Sequence, residues 1–163
     1  MRHAVIETSH LTKHYGQVEA IRDVSFQVGA SRITGFLGRN GAGKSATIKI
    51  LLGMVRPTSG TGAVLGHPVA HPRENLLLRK RVAYVGEDKG LYAYMTVGEL
   101  IRFTRSFYDD WRPEMEQRLL GGGFQLPTDR KVKALSKGMR TKLALLLALS
   151  RKPAPILLQE GQH

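Results

Sequence analysis

The chain of 163 residues carries 25 basic and 13 acidic side chains, a formal charge of +12, and no cysteine. That length holds one domain or one and a half, and the missing cysteine excludes disulfide frameworks, zinc ribbons, thiol nucleophiles and iron–sulfur ligation. With 42% hydrophobic and 23% charged residues, the composition is that of a globular chain with a real core.

The first ten residues, MRHAVIETSH, break their apolar stretch with Glu7 and two histidines, so they predict no signal peptide. Val5-Ile6 opens an extended segment, Lys13 to Glu19 with Gly16 reads as a turn, and Ala20 to Val28 alternates like a strand. Ser31 to Leu37 predicts a further strand that leads into a glycine-rich loop. Lys44 to Leu52 then has apolar positions at helical spacing, and Gly53 is its stop. The turn-rich segment Val55 to Gly62 separates this unit from a short strand at Ala63 to Leu65, and the His67-Pro68 and His71-Pro72 pairs read as loop. Val82 to Val85 predicts a short buried strand.

From Thr96 the pattern turns helical: Thr96 and Glu99 have the spacing of a capping box ahead of Leu100, Ile101, Phe103 and Phe107. A second helix is expected from Pro113 to Leu120, ended by Gly121 to Gly123. A third is expected from Lys137 to Leu149. Its LALLLAL stretch, Leu143 to Leu149, is apolar all round and must be enclosed. Ile156 to Leu158 reads as a central strand with little chain left to pair with it. No apolar run approaches the roughly 18 residues of a membrane span.

The chemistry is concentrated at residues 38–45, GRNGAGKS, a complete match to Gly, four residues, Gly-Lys-Ser. Gly38, Gly41 and Gly43 let the backbone curl its N–H groups inward, and the following helix N-terminus adds a positive dipole end. Lys44 places a point charge on the β- and γ-phosphates, and the Ser45 hydroxyl suits Mg²⁺. The base and the fate of the phosphates stay open on this motif alone, since kinases, GTPases and ATPases share it.

Further motifs narrow the class. Tyr15 stands in LTKHYG ahead of the loop, Tyr84-Val85-Gly86-Glu87 follows the middle segment, and Leu135 to Met139 read LSKGM at the start of the enclosed helix. In this order they resemble the nucleotide-binding domain of the ATP-binding cassette (ABC) family from Thr12 to Glu160: the adenine-stacking aromatic, the Q-loop with Glu87 where glutamine is usual, and the LSGGQ signature with Ser136 and Gly138 kept. The resemblance implies a fold in the α/β class: a P-loop NTPase core of strand, loop and helix, an N-terminal antiparallel β segment and an inserted helical subdomain. Residues 1–95 would hold the β segment and P-loop core, 96–150 the helical subdomain, and 151–163 a cut-off Walker B strand that leaves the sheet incomplete.

It also implies ATP and Mg²⁺ as cofactors. Nucleotide contacts would fall on Tyr15, on Gly38, Arg39, Asn40, Gly41, Ala42, Gly43, Lys44, Ser45 and Ala46, and on Ser136 and Gly138. Metal contacts would come from Ser45 and Glu87, and Lys44, Glu87 and Glu160 would be catalytic. At Ile156 to Gly161, ILLQEG, the Walker B aspartate position holds Gln159, while Glu160 keeps the position of the general base. Gln159 can accept a hydrogen bond but cannot balance a cation. No D-loop or switch histidine follows, so the match predicts a truncated or frame-shifted cassette with exposed apolar surface at Leu143 to Leu149 and Ile156 to Leu158.

The expected function is the ATP-binding, ATP-hydrolysing subunit of an ABC transporter, peripheral on the cytoplasmic membrane face. Its partners would be a separate transmembrane subunit, met through Asp88 to Met95, and a second nucleotide-binding domain in a head-to-tail dimer. The alternatives are a cassette that binds nucleotide without turnover, and a soluble ABC-type ATPase acting on nucleic acid. The +12 charge suggests the last. No aromatic and basic interleaving supports it, so no nucleic acid partner is expected.

Overall fold

The computed structural model describes residues 4–31, 34–39, 41–86, 90–152 and 156–158. The chain divides into two compact units, with the boundary between Val82 and Ala83.

The first unit is built on a hairpin. Strand β1 (Ala4–Tyr15) pairs antiparallel with β2 (Val18–Gly29), from Ala4 opposite Gly29 to Tyr15 opposite Val18. The expected turn from Lys13 to Glu19 is only Gly16-Gln17, because Gly16 takes φ 58° and closes a two-residue loop without a steric penalty. β3 (Ser59–Val64) adds to β1 and β4 (His67–Pro68) to β3, giving the order β2-β1-β3-β4. Two expectations change here: much of the turn-rich 55–62 segment is strand, and His67-Pro68 is ladder rather than loop. Gly60 makes this possible at φ 78°, where a Cβ would collide with the carbonyls of His10 and Ser9, so β3 follows β1 across an irregularity.

Helix α1 (Lys44–Leu51) has the expected bounds within a residue. Its end is a double-bonded left-handed cap: Gly53 at φ 64° donates to Ile50 O at 2.8 Å, and Met54 donates to Lys49 O at 2.9 Å. Helix α2 (Pro72–Arg81) follows where the sequence predicts only loop. Its three consecutive leucines lack a 3.6-residue period, and of them only Leu78 is fully buried. The anticipated strand at 31–37 is not present among the described residues. Residues 34–39 belong to no ladder, and Leu37 is 92% exposed. Apolar alternation makes a strand only when a partner edge meets it, and that partner is not a local property of the sequence.

The second unit pairs β5 (Ala83–Val85) with β6 (Ile156–Leu158) in parallel, Tyr84 opposite Leu157. Helix α3 (Val97–Arg105) begins at the expected capping box: Glu99 N donates to Thr96 Oγ1 at 3.2 Å, and Thr96 N donates to the Glu99 carboxylate at 2.7 Å. Helix α4 (Pro113–Gln117) is shorter than expected, since a π-type turn at 118–123 carries the chain through the triple glycine. Helix α5 (Lys137–Leu149) has the expected span. Val97, Leu100, Ile101, Leu126, Val132, Leu135, Leu143 and Leu146 form its core with α3. Residues 143–149 are all buried or half-buried, so the exposed surface expected there is not found. Among the described residues of this unit the large exposed apolar side chains are instead Tyr92, Tyr94, Phe103 and Phe107.

Candidate functional site

The glycine-rich loop shows the backbone its sequence demands. Gly41 and Gly43 take φ 81° and 78°, a region that costs an L-residue roughly 1–2 kcal/mol. At Gly43 a Cβ would also collide with the Ala20 carbonyl oxygen and lie 3.0 Å from Ile21 Cγ1, so strand β2 packs directly on the loop. A Cβ at Gly38 would sit 3.2 Å from that of Ala42. Ala42 N donates to Arg39 O at 3.1 Å and closes the turn.

Gly43 is the N-cap of α1 and has no side chain to fill the cap, and the first turn contains no acid. The positive end of this helix is therefore left for an anion from outside. Buried Thr47 anchors the turn, donating through N and Oγ1 to Gly43 O at 2.8 and 2.9 Å. Lys44 bends back over the loop: its Nζ donates to Gly38 O and, at 2.8 Å, to Arg39 O. A flexible ammonium parked on loop carbonyls can exchange them for phosphate oxygens. Ser45 and Ala46 follow on the first turn, with Ser45 exposed.

The donor set fits a polyphosphate: left-handed glycines, an uncapped helix start and one lysine, with no carboxylate in the first turn of α1 to oppose the charge. It also fits Mg²⁺ bound mainly through phosphates and water, with Ser45 as the protein hydroxyl. Among the described residues no group of three or more His, Asp or Glu is gathered as an all-protein metal cage. Tyr15 ends β1 beside the hairpin turn, 47% exposed, with Lys13 Nζ 5.0 Å from its ring centroid. A half-open ring can offer a face to a purine.

In the second unit the signature segment forms a helix start. Residues 132–134 make a 3₁₀ turn pinned to the α3 entry by Val132 N to Met95 O (2.9 Å) and Lys133 N to Ala93 O (3.0 Å). Ser136 then caps α5, accepting from Met139 N at 3.2 Å, and a Cβ on Gly138 would meet open space. The sequence pattern did not single out the role of Arg140, whose Nε donates to Leu135 O at 3.1 Å and ties the signature turn to its own helix. Asn40, Glu87 and Glu160, together with Gln159, lie outside the described residues.

The loop and helix define a P-loop nucleotide-binding protein. The sequence profile of the ABC transporter family matches residues 21–162. The chain is 32% identical over 157 residues to the bacitracin transport ATP-binding protein BcrA of Bacillus licheniformis, covering 96% of this chain and 51% of that protein. It is 34% identical over 164 residues to the Nod factor export ATP-binding protein I of Paraburkholderia xenovorans, covering 98% and 53%. A solved ATP-binding subunit of an ABC transporter superposes with a TM-score of 0.82 at 30% identity, over 94% of this chain and 65% of the other. The chain belongs to the ABC transporter ATP-binding family, with the P-loop NTPase fold, and spans about half the length of the curated relatives it matches. No helix among the described residues is long and apolar enough to cross a membrane.

Proposed function

We propose that the protein binds Mg-ATP at residues 38–46 and hydrolyses it to drive a membrane transporter. The observation that carries this reading is the loop itself: Gly41 and Gly43 in left-handed backbone, an uncapped helix start, and Lys44 folded over both. Family membership supports hydrolysis and transport as its use.

In this reading Gly38 to Gly43 wrap the phosphates, the α1 N–H groups and Lys44 hold their charge, and Tyr15 stacks on adenine. Mg²⁺, held by Ser45 and Glu87, would neutralise charge developing on the transferred phosphoryl group. Glu160 would take the proton of the attacking water, and Ser136 and Gly138 would face the phosphates bound by a second copy. That exchange makes a head-to-tail dimer. Asp88 to Met95 would meet a separate transmembrane subunit, placing the chain on the cytoplasmic membrane face. The name of the Nod factor relative supports outward transport.

The test is calorimetric titration with Mg-ATP, followed by phosphate release. Saturable binding that disappears in Lys44→Ala is expected. Equal binding by both proteins would refute the P-loop site, and binding without phosphate release above that of Lys44→Ala would refute turnover alone.

A further inference from the structure

Opposite its phosphate-facing end, α1 has a second unusual feature at its C-terminus. Arg79, on α2, reaches the last carbonyls of the α1 cap: Nε donates to Leu52 O at 3.3 Å and Nη2 to Gly53 O at 2.8 Å. Asn75, one turn earlier, donates from Nδ2 to Gly53 O at 3.3 Å. The two side chains close on Gly53 so tightly that a Cβ there would collide with the Asn75 carboxamide.

Helix α2 is itself tethered. His67 Nδ1 lies 2.5 Å from Glu74 Oε2, Asn75 N donates to His71 O at 3.1 Å, and Leu78 is fully buried. By contrast, residues 34–39 approach the loop without a ladder. The eight-residue helix α1 is about 12 Å long. A shift of its C-terminal cap therefore moves the first-turn N–H groups by a similar amount, against the packing of the buried Thr47, Ile50 and Leu51 and the contact of Gly43 with Ala20 and Ile21.

We propose that Arg79, assisted by Asn75, is a positioning residue for triphosphate binding. It fixes the axial position of α1 by a two-pronged hydrogen bond to the carbonyls of Leu52 and Gly53, which cap its C-terminus, and its charge reinforces the dipole whose positive end meets the phosphates. This rests on the reading that the loop holds ATP. The effect is specific to the phosphate end, because Tyr15 lies on the β1–β2 hairpin and not on α1. A lysine supplies the charge but not the planar fork, so it restores only part of the function.

The experiment compares the whole chain with Arg79→Ala, Arg79→Lys and Asn75→Ala. It measures affinity for methylanthraniloyl-labelled ATP, displacement by inorganic tripolyphosphate and by adenosine, and the melting curve. Arg79→Ala is expected to weaken labelled ATP and tripolyphosphate about tenfold, the scale of a charge-assisted hydrogen-bond pair. Adenosine affinity stays within about twofold, since the adenine-facing Tyr15 lies on the hairpin and not on the helix that Arg79 holds. Arg79→Lys falls between, and Asn75→Ala shows a smaller loss of the same kind; these two carry the test if Arg79→Ala does not fold. Unchanged tripolyphosphate affinity overturns the proposal, as does an equal loss for adenosine, which would mark general destabilisation. A wild-type protein that binds neither labelled ATP nor tripolyphosphate overturns the P-loop reading itself, an outcome distinct from wild-type binding with an indifferent Arg79.

Discussion

Gly41 and Gly43 sit two residues apart in the same left-handed backbone, yet their surroundings separate the two costs of adding a methyl group. At Gly41 nothing lies within 4 Å of a new Cβ, whereas at Gly43 the Ala20 carbonyl occupies its place. Gly41→Ala should therefore cost about 1–2 kcal/mol, the backbone strain alone. Gly43→Ala should cost clearly more and should weaken ATP binding, because the loop must move off β2. Urea denaturation of the two variants checks the order, and equal losses would contradict it. Glu99 offers a second residue-level prediction, in pH. The Thr96 backbone N–H, then the Thr96 side chain, hold its carboxyl below the ordinary value of 4.5, with Arg102 and Lys131 adding to the effect. A carboxyl that titrates lower folded than unfolded stabilises fully above its unfolded pKa and loses that contribution as pH falls through the folded value. Stability should therefore drop below about pH 4.5 by an increment that Glu99→Gln lacks, read from melts at pH 3 and pH 7.

Elements whose ends carry local chemistry were legible in the sequence. Thr96 with Glu99, Ser136 and Gly53 mark α3, α5 and the end of α1 through their own backbone hydrogen bonds, and each boundary fell where those residues placed it. The elements that depend on distant partners were not. Helix α2 has no 3.6-residue apolar period to announce it, and its tie to the α1 cap through Asn75 and Arg79 spans more than twenty residues. The expected strand ending at Leu37 had the right alternation but met no ladder among the described residues. The same division holds at the site. The glycines and Lys44 are visible as a motif, while the Ala20 carbonyl that makes Gly43 obligatory can only be seen in three dimensions. Helix α5 shows what the local and the distant terms are worth. Ser136→Ala removes one cap bond and should cost about 1 kcal/mol. Leu146→Ala empties a fully buried core position and should cost about 2–5 kcal/mol. If chemical denaturation ranked the cap above the core, enclosure would not be what holds the signature helix in place.

At the scale of the whole molecule, the two motifs that resemblance pairs in one catalytic site belong to different compact units of the chain: the P-loop precedes Val82 and the signature turn follows it. If ATP joins two copies head to tail, the units should respond to nucleotide with different dependence on protein concentration. Phosphate binding at the P-loop needs one copy, so slowed amide exchange at 41–47 should follow ATP occupancy at any protein concentration. In the proposed head-to-tail arrangement the signature turn would meet phosphate only from a second copy. Slowed exchange at 136–140 should therefore rise with protein concentration, since dimerisation is governed by mass action. Ser136 already accepts from Met139 N in the single chain, so that amide supplies an internal baseline, and added protection should be clearest at the residues around Gly138, where space is open. Lys44→Ala should abolish both responses, because one copy supplies the nucleotide that the other reads. Ser136→Ala should spare the first and weaken only the second. Protection of both segments with the same concentration-independent profile would place the signature contact within a single chain and rule out the head-to-tail arrangement.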